Sequence, residues 1–306
     1  MVLESIFRRK VPIIVFMETN MWYKDKHLKD LWDKREKEAI RRIINKPDFS
    51  SPFVTNLLKL NFDSMPLFWC LLWQDTQKLI KDKTIHKPGD IDIILGKFDI
   101  INDSCNDYAI IKTDILIGIE VKVEVDRKSV KNRDEDQEQI NQQISGLLNI
   151  GFNKVVLLNI IATEPQNGNG FEAWLNAAEN SNIALRESEK VLMNMKILLK
   201  NDPIFNYVGH WVAPWGSIDN KNEYFAGSVK LIEHNHALNN PLLYSNDKVQ
   251  KRRKIIEEYI NKNLPIKIPM IKIRELFGMP TTCIIYTYCE KCNKIHLGYE
   301  TCHTIS

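Results

Sequence analysis

From Ile119 to Asp126 the chain alternates apolar and polar at every step. Ile117, Ile119, Val121, Val123 and Val125 take one set of positions, and Glu120, Lys122 and Glu124 take the other. Successive side chains of a strand point to opposite faces, so the pattern predicts a strand with one apolar face. A second strand is predicted at residues 89–95, with Ile91, Ile93 and Leu95 on one face and Asp90 and Asp92 on the other. The period then changes. Ile140, Ile144, Leu147 and Leu148 recur at helical spacing within residues 134–150. Asp134, Glu135 and Asp136 suit the positive end of a helix dipole, and Gly151 suits the stop. The apolar run 155–161 predicts a buried strand, and strand, helix and strand at this spacing predict a crossover within one sheet.

Elsewhere the pattern is coarser. Helical spacing covers residues 24–44 and 66–81, Gln166-Asn167-Gly168-Asn169-Gly170 marks a loop, and a long helix is expected over 171–200. Residues 207–215 and 225–233 read as strands about a turn, and 247–263 as a helix. Pro265, Pro269 and Pro280 then precede a cysteine-rich end. The divisions suggested are an N-terminal helical region (1–65), a core (66–165), a helical and strand extension packed on the core (166–265) and a Cys-rich tail (266–306). The class expected is α/β.

If the two acid-bearing strands pair with their apolar faces on one core, Asp92 meets Glu120 with Lys122 beside them. Asp90 is the rival for the first position. Two carboxylates and an ammonium make a hard-cation site with an electrostatic partner for a phosphate or a water. The plainer reading is that the charged face of an amphipathic strand is simply wet.

Gly89-Asp90-Ile91-Asp92, then Glu120-Val121-Lys122, then a helix bearing Gln139, Gln142 and Gln143, then the apolar strand 155–161, resemble the PD-(D/E)xK nuclease superfamily in content and order. The resemblance runs from about residue 68 to residue 163. It implies a restriction-endonuclease-like mixed central sheet flanked by helices, here with extra N-terminal helices and a C-terminal α+β extension. It implies a metal-dependent nuclease that hydrolyses phosphodiester bonds, DNA rather than RNA, in restriction or phage defence. Carried over residue by residue, Asp92 and Glu120 would bind Mg²⁺, with Asp90 as the alternative ligand and Mn²⁺ as a substitute ion. Lys122 would position or activate the attacking water, and Gln143 or Gln139 would enter the site from the helix. Many relatives add an acid from the helix before the first strand, for which Asp75, Glu36 and Glu38 are the candidates here. The chemistry suits these groups: carboxylate-held Mg²⁺ neutralises charge on a leaving oxygen and makes a water nucleophilic. A lysine beside two acids stays protonated, or loses its proton near a metal and serves as base; the sequence leaves both roles open.

Composition sets outer bounds. The chain has 306 residues, 44% of them hydrophobic and 26% charged, with a net charge of +3. That length supports one large domain or two smaller ones. The net charge is a weak nucleic-acid signal, so distribution matters more. Basic clusters fall at 78–87, 127–133 and 248–254. The second leaves the E-x-K strand directly, which makes Lys128, Lys131 and Arg133 the candidate phosphate contacts; the plainer reading of each cluster is solvated surface. No run reaches the 18 apolar residues of a membrane span, and Arg8-Arg9-Lys10 with the short apolar stretch after it lacks the form of a signal peptide. Six cysteines, four of them between 283 and 302, fit a reducing cytoplasm. No membrane partner is expected, and a homodimer is left open.

The end of the chain holds its own candidate. Cys289-Glu290-Lys291-Cys292 is a C-x-x-C knuckle, and Cys283, His296, Cys302 and His303 lie near it. Thiolates and imidazoles at this spacing suit a structural Zn²⁺, against the plainer reading of buried thiols in a Tyr- and Ile-rich strand. His210-Trp211, Trp215 and His234-x-His236 are a weaker metal candidate, and the tryptophans suit a core better than base stacking. Three function classes follow: a metal-dependent nuclease, a non-cleaving nucleic-acid-binding module of the same fold, and a zinc-stabilised interaction protein.

Overall fold

The computed structural model describes residues 37, 40, 43, 44, 47–50, 52–60, 67–75, 79, 80, 90–103, 106–125, 133–162, 203–215, 231–277 and 283–298. In chain order the elements are α1 (Pro52–Leu57), β1 (Phe68–Asp75), β2 (Asp90–Asp103), β3 (Asn106–Ile111), β4 (Ile117–Val125), α2 (Arg133–Ile150) and β5 (Lys154–Ala162). They continue with β6 (Gly209–Trp215), β7 (Ile232–Asn235), α3 (Leu242–Ser245), α4 (Asp247–Asn263), β8 (Lys267–Pro269), α5 (Met270–Phe277), β9 (Cys283–Cys289) and β10 (Lys294–Leu297). The strands form one mixed sheet in the order β10-β9-β1-β2-β4-β5-β6-β7, with β3 paired to β2 and β8 to β3. β2 is antiparallel to both β1 and β4. β5 runs parallel to β4, and β6 parallel to β5. A parallel pair needs a crossover, and α2 supplies it between β4 and β5 as the spacing predicts.

Each face of the sheet carries a core. On one face Trp69, Leu71, Ile94, Val155, Leu157 and Ile284 meet Ile144, Leu147 and Leu148 of α2 and Ile256 and Ile260 of α4. On the other, Phe68, Cys70, Leu72, Ile119, Val121 and Leu158 meet Ile40, Ile43, Ile44, Val54, Leu57 and Leu58. The chain is therefore α/β with helical residues over both faces.

β1 overturns one expectation. Residues 66–81 have apolar spacing that fits a helix, yet Phe68–Asp75 is a central strand between β9 and β2. A short apolar run satisfies either period, and covering both faces of the sheet decides for the strand. Asp75 consequently ends a strand, opposite Asp90, rather than sitting on a helix. The expected tail is also revised: β9 pairs in parallel with β1, and all seven of its residues are buried, so residues 283–297 belong to the same sheet. The helix expected over 171–200 and residues 225–230 of an expected strand lie outside the described residues, as do Glu36 and Glu38.

α2 ends as its sequence suggests. Gly151 has φ +99°, and its amide donates to Leu148 O at 3.2 Å. A Cβ at that position would lie 2.9 Å from Val249 O, so only glycine fits. The fully buried Asn240 then holds the exit, its Nδ2 donating to Leu148 O at 2.8 Å and Phe152 O at 3.0 Å. The Phe152 ring lies on Gly118 of β4, where any Cβ would come within 2.7 Å of it. This seats the helix on the strand two residues before Glu120.

Candidate active site

β2 and β4 pair over only three positions, Ile93–Ile119, Ile94–Gly118 and Leu95–Ile117. The next step of that register would set Asp92 opposite Glu120. The ladder stops there, and the Asp92 side chain takes over from the backbone: Val121 N donates to Asp92 Oδ2 at 2.7 Å. Asp92 is thereby anchored beside the residue that follows Glu120.

A backbone irregularity aims it. Trp73, on β1, lies opposite Asp92, between the pairs Leu72–Ile93 and Gln74–Ile91, and has φ +55°. For a bulky residue this left-handed conformation costs on the order of 1–3 kcal/mol. Its consequence is visible in the packing. Leu72 and Trp73, though adjacent, share one core, while Ile91 packs into the opposite core from Ile93 and Leu95. The expectation that Ile91, Ile93 and Leu95 share a face is therefore corrected. Strict alternation fails at Asp92 because the kink re-aims the strand there.

Alternation holds in β4. Ile117, Ile119 and Val121 belong to one core, so Glu120 and Lys122 face the side covered by α2. Glu120 is only 2% exposed and Asp92 7%, which overturns the reading of a wet polar face for these two groups. Lys122 Nζ donates to Glu120 Oε1 at 2.7 Å, and the lysine side chain keeps 26% of its surface exposed. An acid brought so far out of water needs a charged or hydrogen-bonded partner, and Lys122 is one.

Gln143 lies on the sheet-facing stripe of α2, between Ile140 and Leu147, and its Oε1 is buried without a hydrogen-bond partner. From the Phe152 ring on Gly118 the helix runs back along the crossover towards the end of β4 that carries Glu120 and Lys122, and Gln143 lies on that stretch. Asn159 of β5 is the register partner of Lys122, is 2% exposed, and by alternation with Val155 and Leu157 faces the same side. In the sequence it is hidden within the apolar run 155–161. The signal was present: one amide inside a stretch otherwise made of Val, Leu and Ile. His210 lies further along the row, Glu120–Leu157–His210, and is buried.

Asp90, Gln139 and Arg133 have described backbones, but their side chains fall outside the described residues, as do Lys128 and Lys131. In the third basic cluster Lys248, Lys251 and Lys254 are exposed, but Arg252 and Arg253 are internal ties. Arg252 donates to Asn149 O at 3.1 Å, and Arg253 donates to Thr113 O at 2.5 Å and to Glu257 Oε1 at 2.7 Å. Burial pulls the Arg253 pKa down, opposed by Glu257. His236 pairs with Glu233 at 2.8 Å, and no three-ligand group forms around it among the described residues. Trp69 and Trp211 are core residues, the latter edge-on to Phe53.

Among the described residues one His/Cys/Asp/Glu group has metal-ligand proximity: the ligand atoms of Cys289, Cys292 and His296 all lie within 4.8 Å of one another. Cys283, expected as a further ligand, is removed from it. It sits at the other end of β9 with its Sγ 3.0 Å from Cys70 Sγ, and burial together with the Cys283 thiol pushes the Cys70 pKa up. Cys302 and His303 lie outside the described residues.

No helix among the described residues is long and apolar enough to cross a membrane. Comparison of the chain with protein-family models, with curated proteins and with solved structures finds no match.

Proposed function

We propose that the chain is a metal-dependent nuclease of the PD-(D/E)xK kind, hydrolysing phosphodiester bonds of nucleic acid, DNA in preference to RNA. One observation carries this reading. Two acids, Asp92 and Glu120, are buried on neighbouring strands where those strands part, and Lys122 is ion-paired to the second of them. The order of elements supports it as well. The acid strand β2, the E-x-K strand β4, the glutamine helix α2 and the parallel strand β5 follow one another around this point.

The donor set fits Mg²⁺. Asp92 and Glu120 offer hard carboxylate oxygens from two separate strands, each steadied by a second contact, Val121 N–H for one and Lys122 for the other. When bound, Mg²⁺ supplies Lewis-acid stabilisation of a phosphoryl oxygen and a more acidic water. The chain's own residues do the rest. Lys122 is anchored on Glu120 and keeps part of its side chain in solvent, so its ammonium can meet a phosphate oxygen. Gln143 Oε1, buried on the helix that covers this face and without a hydrogen-bond partner, is an acceptor that could orient a water for attack. Asn159 adds a fixed amide beside Lys122.

The test is incubation of the protein with labelled single- and double-stranded DNA and RNA in Mg²⁺, Mn²⁺ or EDTA. Cleavage is expected with either metal and not with EDTA. Glu120→Gln and Lys122→Ala should each lower the rate by about 10²-fold or more. Binding of nucleic acid without cleavage by the wild-type chain would instead make it a binding module, and cleavage undiminished in both variants would place the chemistry elsewhere.

A further inference from the structure

At the opposite edge of the sheet, β9 ends on Cys289 and β10 returns antiparallel to it, with His296 opposite Thr287. The turn Glu290-Lys291-Cys292-Asn293 closes on Asn293, which has φ +54° and whose Oδ1 accepts from Tyr288 Oη at 2.6 Å. This geometry folds Cys292 back over the strand ends. Its Sγ lies 3.1 Å from His296 Nε2 and 4.0 Å from Cys289 O. Cys289 is buried, and Cys292 and His296 are half-buried. The proposed nuclease chemistry uses none of these groups.

We propose that this turn is a Zn²⁺ site with Cys289 Sγ, Cys292 Sγ and His296 Nε2 as protein ligands and one position left for a fourth donor. The ligand chemistry selects the ion. Two thiolates and an imidazole suit zinc, whereas Mg²⁺ takes oxygens. The spacing agrees. Tetrahedral zinc with thiolate and imidazole ligands has ligand-to-ligand edges of about 3.5–3.8 Å, so a group already within 4.8 Å closes on the ion by shifts of about an ångström. Sequence separation agrees too, since all three donors come from a single hairpin.

The site has a structural purpose. Glu290, Lys291, Asn293 and Lys294 are exposed, so the turn has little apolar packing of its own. β10 is an edge strand joined through β9 to β1. A metal tying both arms of the hairpin holds that edge where packing does not. Because thiols must lose their protons to bind, affinity should fall as pH drops.

Elemental analysis of the full chain, purified without chelator, tests this. About one zinc per chain is expected, falling towards zero in Cys292→Ser and in His296→Ala. Exchange with Co²⁺ should give the intense thiolate-to-metal absorption of a tetrahedral site in the wild-type chain, a readout that needs no variant to fold. Chelation should speed amide exchange at residues 290–298 while leaving β4 and β5 protected. Metal-free protein with no Co²⁺ spectrum would overturn the proposal, and so would a Cys289–Cys292 disulfide in the chain as purified. Since none of these readouts uses nucleic acid, their failure leaves the nuclease reading untouched, and the reverse holds as well.

Discussion

Asp92 carries two jobs that a pair of substitutions can separate. Its Oδ2 accepts the Val121 amide, a structural duty at the point where the β2–β4 ladder ends. Its charge, on a side chain only 7% exposed, is the part that the proposed metal binding would use. Asp92→Asn keeps an acceptor for Val121 N–H, so stability should change by less than about 1 kcal/mol while metal-dependent cleavage is lost. Asp92→Ala leaves that buried amide unpaired and should cost about 1–3 kcal/mol as well. Urea titrations of the two variants beside wild type check the difference. Equal destabilisation by both would mean that the carboxylate charge, not the hydrogen bond, holds the strand ends. Trp73 belongs to the same account: a strained bulky residue placed opposite a buried acid is the pattern of strain kept at a working site.

At the scale of elements, α2 sets the site's ceiling, and its position depends on how it stops. Gly151 turns the chain, Phe152 lands on Gly118, and Asn240 binds the carbonyls of Leu148 and Phe152. Asn240 Oδ1 also accepts from Leu242 N at 3.0 Å, which joins the helix exit to α3. Asn240→Ala removes all three bonds at a fully buried position and should destabilise the chain by about 2–4 kcal/mol. It should also slow cleavage, because Gln143 rides on the helix that Asn240 secures. Thermal unfolding and single-turnover rates measure both effects. A stable variant would show that α2 is held by its apolar stripe alone.

For the molecule as a whole, the proposed nuclease reading requires a basic surface that meets nucleic acid. Residues 127–133 follow β4 in the sequence, and 248–254 lie on α4. Arg252 and Arg253 are spent inside the protein, on Asn149, Thr113 and Glu257. Neutralising Lys128, Lys131 and Arg133 together should flatten the salt dependence of DNA binding by about one unit of slope per lost phosphate contact. Arg253→Ala should leave the slope unchanged and cost about 1–3 kcal/mol of stability through the unpaired Thr113 carbonyl. Binding isotherms across a salt series distinguish the two surfaces. An unchanged slope in the triple variant would reduce the loop to solvated surface.

Period and punctuation in the sequence were enough for β4, α2, β5 and α4, because each is long, strongly patterned and bounded by residues with one structural meaning. Gly151 at the α2 stop and Asn246, which accepts from the amides of Lys248 and Val249 at the start of α4, are such residues. The residue types at Asp92, Glu120 and Lys122 were equally legible, since two acids and a lysine stand out on amphipathic strands. Their burial was not. Local pattern reads a charged strand face as wet, and only the packing of distant elements over that face makes Glu120 internal. β1 departs from its local pattern for a related reason: the six apolar residues Phe68–Trp73 carry no period that separates helix from strand, and pairing with β9 and β2 decides it. Asn159 beside Lys122, Cys283 against Cys70 rather than Cys289, and the internal arginines of α4 all depend on contacts distant in sequence. Local pattern determined where elements run; which charges leave water, and which partners they meet there, was decided by the packing of elements that the chain order keeps apart.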